Sequence, residues 1–278
     1  EATRLCTDAA QQRARTARQA WLSAIEVTTA QFWTYLMGPL AAVLATLGLP
    51  PNGDQPLIFT LIPTGLLALL PLHTAWTEDS TTPTGRRYFL DDYAVRYAPS
   101  ATALRHCRER VGTVSVEQLL ALDEPKPIRG ASPLPNSSRE VKAIASLFPV
   151  PTVLQHEQAN REATLDALSA TQIALFSCLG SNNWQNPLDS GLLLANDELL
   201  TVRDFLELHL PGARLATLSA CETGIVGTDL PDEVIMLPSA LVQAGYAGVV
   251  ASLWSVADVS TAMLMVRFYE YWREEELE

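Results

Sequence analysis

Basic residues are scarce in this chain. Only 19 Lys and Arg stand against 31 Asp and Glu, a formal net charge of −12. That balance argues against a nucleic-acid partner, because phosphate binding needs a basic face. The acidity suits a basic peptide, and it equally describes a solvated acidic surface. Closely spaced cysteines are also missing: Cys6, Cys107, Cys178 and Cys221 form no CxxC pair. Two of them lie in or beside apolar strands, so reduced thiols in a cytoplasmic protein are expected rather than a disulfide framework. No GxxxxGK(S/T), HExxH or GxSxG string occurs, and no cofactor is expected. Asp229, Asp232 and Glu233 lack the regular alternation of an oxygen-ligand loop, so they read as a solvated loop and no metal is expected. No internal repeat or low-complexity tract is seen, and no signal peptide is visible in these residues.

Charge is absent from Val27 to Gly53, and Phe32 to Leu49 is mostly apolar. Its length approaches the ~18-residue lower bound of a spanning helix. Gly38-Pro39 breaks it, Gln31 and threonines interrupt its flanks, and no basic cluster follows. A buried helical pair, and no membrane, is the expectation.

What is present fits a globular protein with a sizeable core: 278 residues, 48% hydrophobic and 18% charged. Residues 1–50 read as a helical segment and 51–278 as a second domain, with Pro50-Pro51-Asn52-Gly53 between them. The opening at Glu1 and the close on Leu277-Glu278 behind glutamates read as a piece excised from a longer chain, with a cloning remnant. Leu57–Ile62 and Ala94–Tyr97 read as strands, and Thr77–Arg87 as an exposed loop. Beyond residue 118 the pattern alternates. Strands are expected at Leu119–Leu122, Thr152–Leu154, Ile173–Cys178, Arg214–Leu218 and Gly248–Leu253. Helices are expected at Ser138–Leu147, Asn160–Leu168, Thr201–Phe205, Pro238–Ala244 and Ser260–Trp272. The fold class is therefore α/β, a mostly parallel sheet with helices on both faces, and function should gather at the strand C-terminal ends.

Two such ends stand out. Behind the strand Arg214–Leu218 comes Ser219-Ala220-Cys221-Glu222-Thr223-Gly224. A cysteine held where a buried strand opens into a loop can face solvent, with its N–H free to meet an oxyanion. Behind Ile173–Cys178 comes Leu179-Gly180-Ser181-Asn182, a tip of the same design. In a cysteine peptidase this second tip should present a histidine, and here it presents Leu179. None of the four histidines is well placed to substitute. His209 precedes the Cys221 strand, at the opposite sheet edge; His156 follows another strand; His73 and His106 are remote.

Residues of about 30 to 273 resemble the CHAT domain, a caspase-like cysteine peptidase module of the group that includes caspases and separase. The resemblance runs through Phe32-Trp33, Ile62-Pro63-Thr64-Gly65, Tyr97-Ala98-Pro99-Ser100-Ala101, Ser138-Arg139-Glu140-Val141 and Pro187 to Leu194. The most specific strings are Leu218 to Gly224 and Ser252-Leu253-Trp254-Ser255-Val256-Ala257-Asp258. The resemblance implies that Cys221 falls on the nucleophile and Leu179 on the catalytic His. Gly180 and Cys221 would supply the oxyanion N–H groups, and Ser219, Trp254 and Asp258 the substrate pocket. It further implies a protein or peptide substrate and an upstream helical-repeat sensor. With Leu179 in place, little or no proteolysis is expected. The alternative is a pseudo-peptidase serving as a binding or regulatory module.

Overall fold

The computed structural model describes residues 2–49, 57–114, 116–183, 185–219, 237–253 and 256–274. The chain divides into two compact units, Glu1–Leu61 with Leu70–Tyr97, and Ile62–Leu69 with Ala98–Glu278.

In the first unit α1 (Ala2–Phe32) continues through a π turn (Trp33–Met37) into α2 (Gly38–Thr46). Pro39 accounts for the π turn. It has no N–H for the carbonyl four residues back, and the Gly38 N–H reaches five residues back to Trp33 O. A side chain at position 38 would bring its Cβ to 2.7 Å from that carbonyl, which is why glycine sits there. The expected break is thus a change of helical pitch. The expected burial is partial: Met37 and Leu44 are buried, while Tyr35, Val43 and Leu47 are exposed.

Four strands and a short helix complete this unit: β1 (Leu57–Leu61), β2 (Trp76–Glu78), β3 (Arg86–Tyr88), α3 (Phe89–Asp92) and β4 (Tyr93–Tyr97). β1 and β4 pair in parallel, and β2 and β3 form an antiparallel hairpin where a loop was expected. Met37, Leu44, Leu72, Ala75, Phe89 and Tyr93 make its core.

The second unit carries α4 (Ala101–Val111), β5 (Gln118–Asp123), α5 (Ser137–Ala145), β6 (Val150–Gln155), α6 (Arg161–Ala170) and β7 (Ile173–Ser177). There follow β8 (Leu179–Ser181), β9 (Gly191–Leu193), β10 (Leu199–Thr201), α7 (Val202–Glu207), β11 (Leu215–Leu218), α8 (Leu237–Ala244), β12 (Gly248–Ala251) and α9 (Asp258–Glu274). Five strands make one parallel sheet in the order β12-β11-β7-β5-β6. Alternation splits its residues between two faces. Leu120, Leu122, Ala174, Phe176, Ala216 and Leu218 pack with residues of α6, α7 and α8. Leu119, Ala121, Ile173, Leu175 and Leu215 pack with Val141 and Ile144 of α5 and Met265 and Tyr269 of α9. The expected α/β architecture, a parallel sheet with helices on both faces, is what the chain adopts.

From β5 the chain moves out to β6, then returns to the other side of β5 for β7, β11 and β12. The order therefore reverses between β5 and β7, and in open parallel sheets a crevice forms beyond the strand ends at such a reversal.

Candidate functional site

The two tips singled out in the sequence follow neighbouring strands. β7 and β11 are adjacent and parallel, with Phe176 opposite Leu218. Leu179 lies three residues beyond Phe176 and Cys221 three residues beyond Leu218. Cys221 and Trp254 themselves lie outside the described residues, as do Asp229, Asp232 and Glu233.

The first tip is not a loop. After Cys178, buried in the core, the chain enters β8, the edge strand of a small antiparallel sheet in the order β10-β9-β8. Leu179 sits opposite Leu193 and Gly180 opposite Leu192, and both Leu179 and Gly180 are half-buried. Leu192, Leu194 and Leu200 anchor this sheet in the core beneath it. Gly191 permits the close approach of β9 to β10, since a Cβ there would lie 2.2 Å from Leu200 O. The Pro187–Leu194 string thus carries the central strand of a small sheet anchored in the core. Thr201 ends it and caps α7: its hydroxyl accepts from Asp204 N at 3.1 Å, and Asp204 accepts from Thr201 N at 2.8 Å.

Beneath the tips lies a row of polar groups. Gln155, Asp123 and Ser177 stand side by side at the ends of β6, β5 and β7, and half-buried Ser219 follows the end of β11. They close the face that α5 and α9 cover. Ser137 and Glu140 of α5 project into this row, spaced with Val141 and Ile144 along one buried helix face. Ser137 Oγ donates to Asp123 Oδ1 at 2.8 Å, and Gln155 Nε2 donates to Asp123 Oδ2 at 3.1 Å. Ser177 Oγ lies 2.9 Å from Ser137 Oγ and 3.1 Å from Glu140 Oε2. Glu140 is 2% exposed, and among the described residues its Oε1 has no hydrogen-bond partner. Burial pushes its carboxyl up to about 7, opposed by the Ser219 and Ser177 hydroxyls and reinforced by Asp258 and Asp123.

Asp258 opens α9, and its Oδ2 accepts from Asn136 Nδ2 at 2.6 Å and from Asn136 N at 3.1 Å. Asn136 stands at the start of α5, so the Asp258 carboxylate ties the beginnings of α5 and α9 together.

No histidine joins these groups. His156 follows β6, three strands from β11, which at about 4.8 Å per strand is roughly 14 Å. Its Nδ1 bonds to Glu124 O at 3.1 Å. His209 precedes β11 and so belongs to the other end of the sheet. His73 is bound through Nδ1 to the Tyr97 hydroxyl at 2.9 Å in the first unit.

The family model of the CHAT domain matches residues 26–277. This chain belongs to the CHAT domain family. The match begins within α1, takes in nearly all of the second compact unit and the first unit from residue 26 onward, and it brings the relation to caspase-like peptidases with it. No curated protein matches the chain. Among the described residues of this CHAT domain, no helix is long and apolar enough to cross a membrane. Among them, too, no group of three or more His, Cys, Asp or Glu is arranged to hold a metal ion.

Sequence reading passed over the row under the tips. In the sequence Glu140 figures only within the Ser138–Val141 string. The available signal was its phase: it falls on the same helical stripe as Val141 and Ile144, where an apolar residue is the norm.

Proposed function

We propose that this CHAT domain is a caspase-like cysteine endopeptidase scaffold with Cys221 at the nucleophile position and Leu179 at that of the catalytic histidine. The pairing of β7 with β11 supports this reading most, since both residues stand three positions beyond the paired Phe176 and Leu218. Gly180 and Cys221 would offer N–H groups to an oxyanion. A free thiol has a pKa of about 8.5, and leucine provides neither a base nor a positive field to lower it. Little or no cleavage follows, and the substrate class is a protein or peptide chain.

Ser219, Trp254 and Asp258 are proposed to line the pocket for the residue before the scissile bond. The engagement of Asp258 by Asn136 supports a structural use of that carboxylate and an uncharged pocket suited to large aliphatic side chains.

The second reading, a pseudo-peptidase that binds rather than cuts, draws support from the apolar pairing of Leu179 with Leu193. Leu179→His separates the two. With a restored base, Cys221 alkylation at neutral pH should accelerate and peptide cleavage should appear, on the order of 10² to 10⁴ above the parent chain. Adding Cys221→Ala should abolish it. A peptide library cut by Leu179→His should favour aliphatic residues, unchanged by Asp258→Asn. Cleavage by the parent chain that survives Cys221→Ala would sink the cysteine-peptidase reading.

A further inference from the structure

Glu140 Oε2, Ser177 Oγ, Ser137 Oγ and Asp123 Oδ1 form a chain of three O···O contacts, at 3.1, 2.9 and 2.8 Å. Each contact needs one hydrogen between its oxygens, and the two serines supply only two. The Ser137 hydrogen goes to Asp123, its shortest acceptor, which leaves one Ser177 hydrogen for two contacts. The chain closes when a third hydrogen sits on a terminal carboxyl. Asp123 already accepts from Ser137 and Gln155, whereas among the described residues Glu140 accepts from no backbone or amide donor and its Oε1 is bare. The extra proton therefore belongs at the Glu140 end, running Glu140 to Ser177, Ser177 to Ser137, and Ser137 to Asp123.

We propose that Glu140 is a proton-dependent positioning residue: its carboxyl links the ends of β7 and β11 through Ser177 and Ser219, so that gaining or losing one proton resets the spacing of those strand ends. With the proton in place, Glu140 donates to Ser177, and Oε1 is a neutral carbonyl oxygen that tolerates isolation better than a charged one. When the proton leaves to solvent, the Ser177 hydrogen turns back toward Glu140, and the contact between Ser177 and Ser137 loses its hydrogen. The carboxylate then draws the hydroxyl of Ser219, which stands one residue beyond Leu218 as Ser177 stands one beyond the paired Phe176, and which favours the ionised form. Ser219 follows the last residue of β11, so β11 moves with it.

The titratable groups facing Glu140 are Asp123 on β5, Asp258 and Tyr269 on α9, and the Cys178 thiol beyond β7. Burial raises the Cys178 and Tyr269 pKa values well above neutrality, so neither competes for the proton. Lys142 shares α5 with Glu140 but is not on its buried face. The inference holds whether or not Cys221 is a nucleophile.

The test is a titration of the full chain labelled with ¹⁵N-serine, from about pH 5 to about pH 9. The Ser177 and Ser219 amide signals should move together with one midpoint of about 7. In Glu140→Gln, whose amide N–H replaces the carboxyl hydrogen, both should stay still over that range. Ser219→Ala should move the Ser177 midpoint upward, because it removes a donor to the anion. If Glu140→Gln does not fold, the parent and Ser219→Ala titrations decide. A still Ser219 signal in the parent, a midpoint unmoved by Ser219→Ala, or the same titration in Glu140→Gln overturns the proposal.

Discussion

At the scale of single residues, Glu140 has a consequence for stability that can be signed in advance. Its carboxyl ionises near 4.5 in an unfolded chain and at about 7 in the fold. Between those values the folded state holds a proton that the unfolded state has released, so stability falls as pH rises. The contribution is complete below about pH 4.5 and gone above about pH 7, and it amounts to at most about 3 kcal/mol. Half-buried His73, whose pKa is lowered by desolvation, acts in the opposite direction as pH falls. Comparison with Glu140→Gln isolates the carboxyl. Urea midpoints of the two proteins should diverge from pH 5 to pH 8, with the variant gaining relative to the parent. A constant difference across that range would mean that Glu140 is ionised throughout. Cys178 is also informative at this scale. Its burial keeps it a thiol, so slow alkylation at pH 7 should report on the other cysteines.

At the scale of elements, the large sheet was legible because β5, β7 and β11 are apolar runs bounded by turn residues and helices. The starts of α6 and α7 were legible to within a residue: Asn160 and Thr201, where helices were expected to begin, are the side-chain acceptors that cap them. What escaped were β8, β9 and β10, each three residues long, too short to display a period of two. The β2–β3 hairpin was hidden in a Thr-rich, polar stretch, and α4 has no buried face to imprint on the sequence. The π turn could not be read either, since proline announces a lost hydrogen bond but not how the helix repairs it. The small sheet makes a sharp prediction. Gly191→Ala should destabilise the protein by about 1–3 kcal/mol, because its Cβ would meet the Leu200 carbonyl and Thr201 Cα at 2.2 and 2.7 Å. Thermal unfolding that is unchanged by this substitution would show that β9 and β10 can separate freely.

At the scale of the whole molecule, the family was readable from strings that the fold now explains. Pro187–Leu194 holds the central strand of the small sheet, and Ser138–Val141 brings an acid under the strand ends. The acidic balance of the chain is partly internal, since Asp92, Asp123 and Glu140 are buried rather than solvated. The position of Leu179 has a further consequence. It lies half-buried on the edge strand of a sheet whose anchors are Leu192, Leu194 and Leu200, so exchanging it leaves those anchors intact. Leu179→His should therefore change stability by less than about 1.5 kcal/mol, measurable by denaturant unfolding, and a larger loss would mean that the leucine is structural. Leucine and histidine codons can differ by one base. On the proposed reading, a lineage could cross between cutter and scaffold by a single nucleotide change that folding would scarcely register, in either direction and more than once.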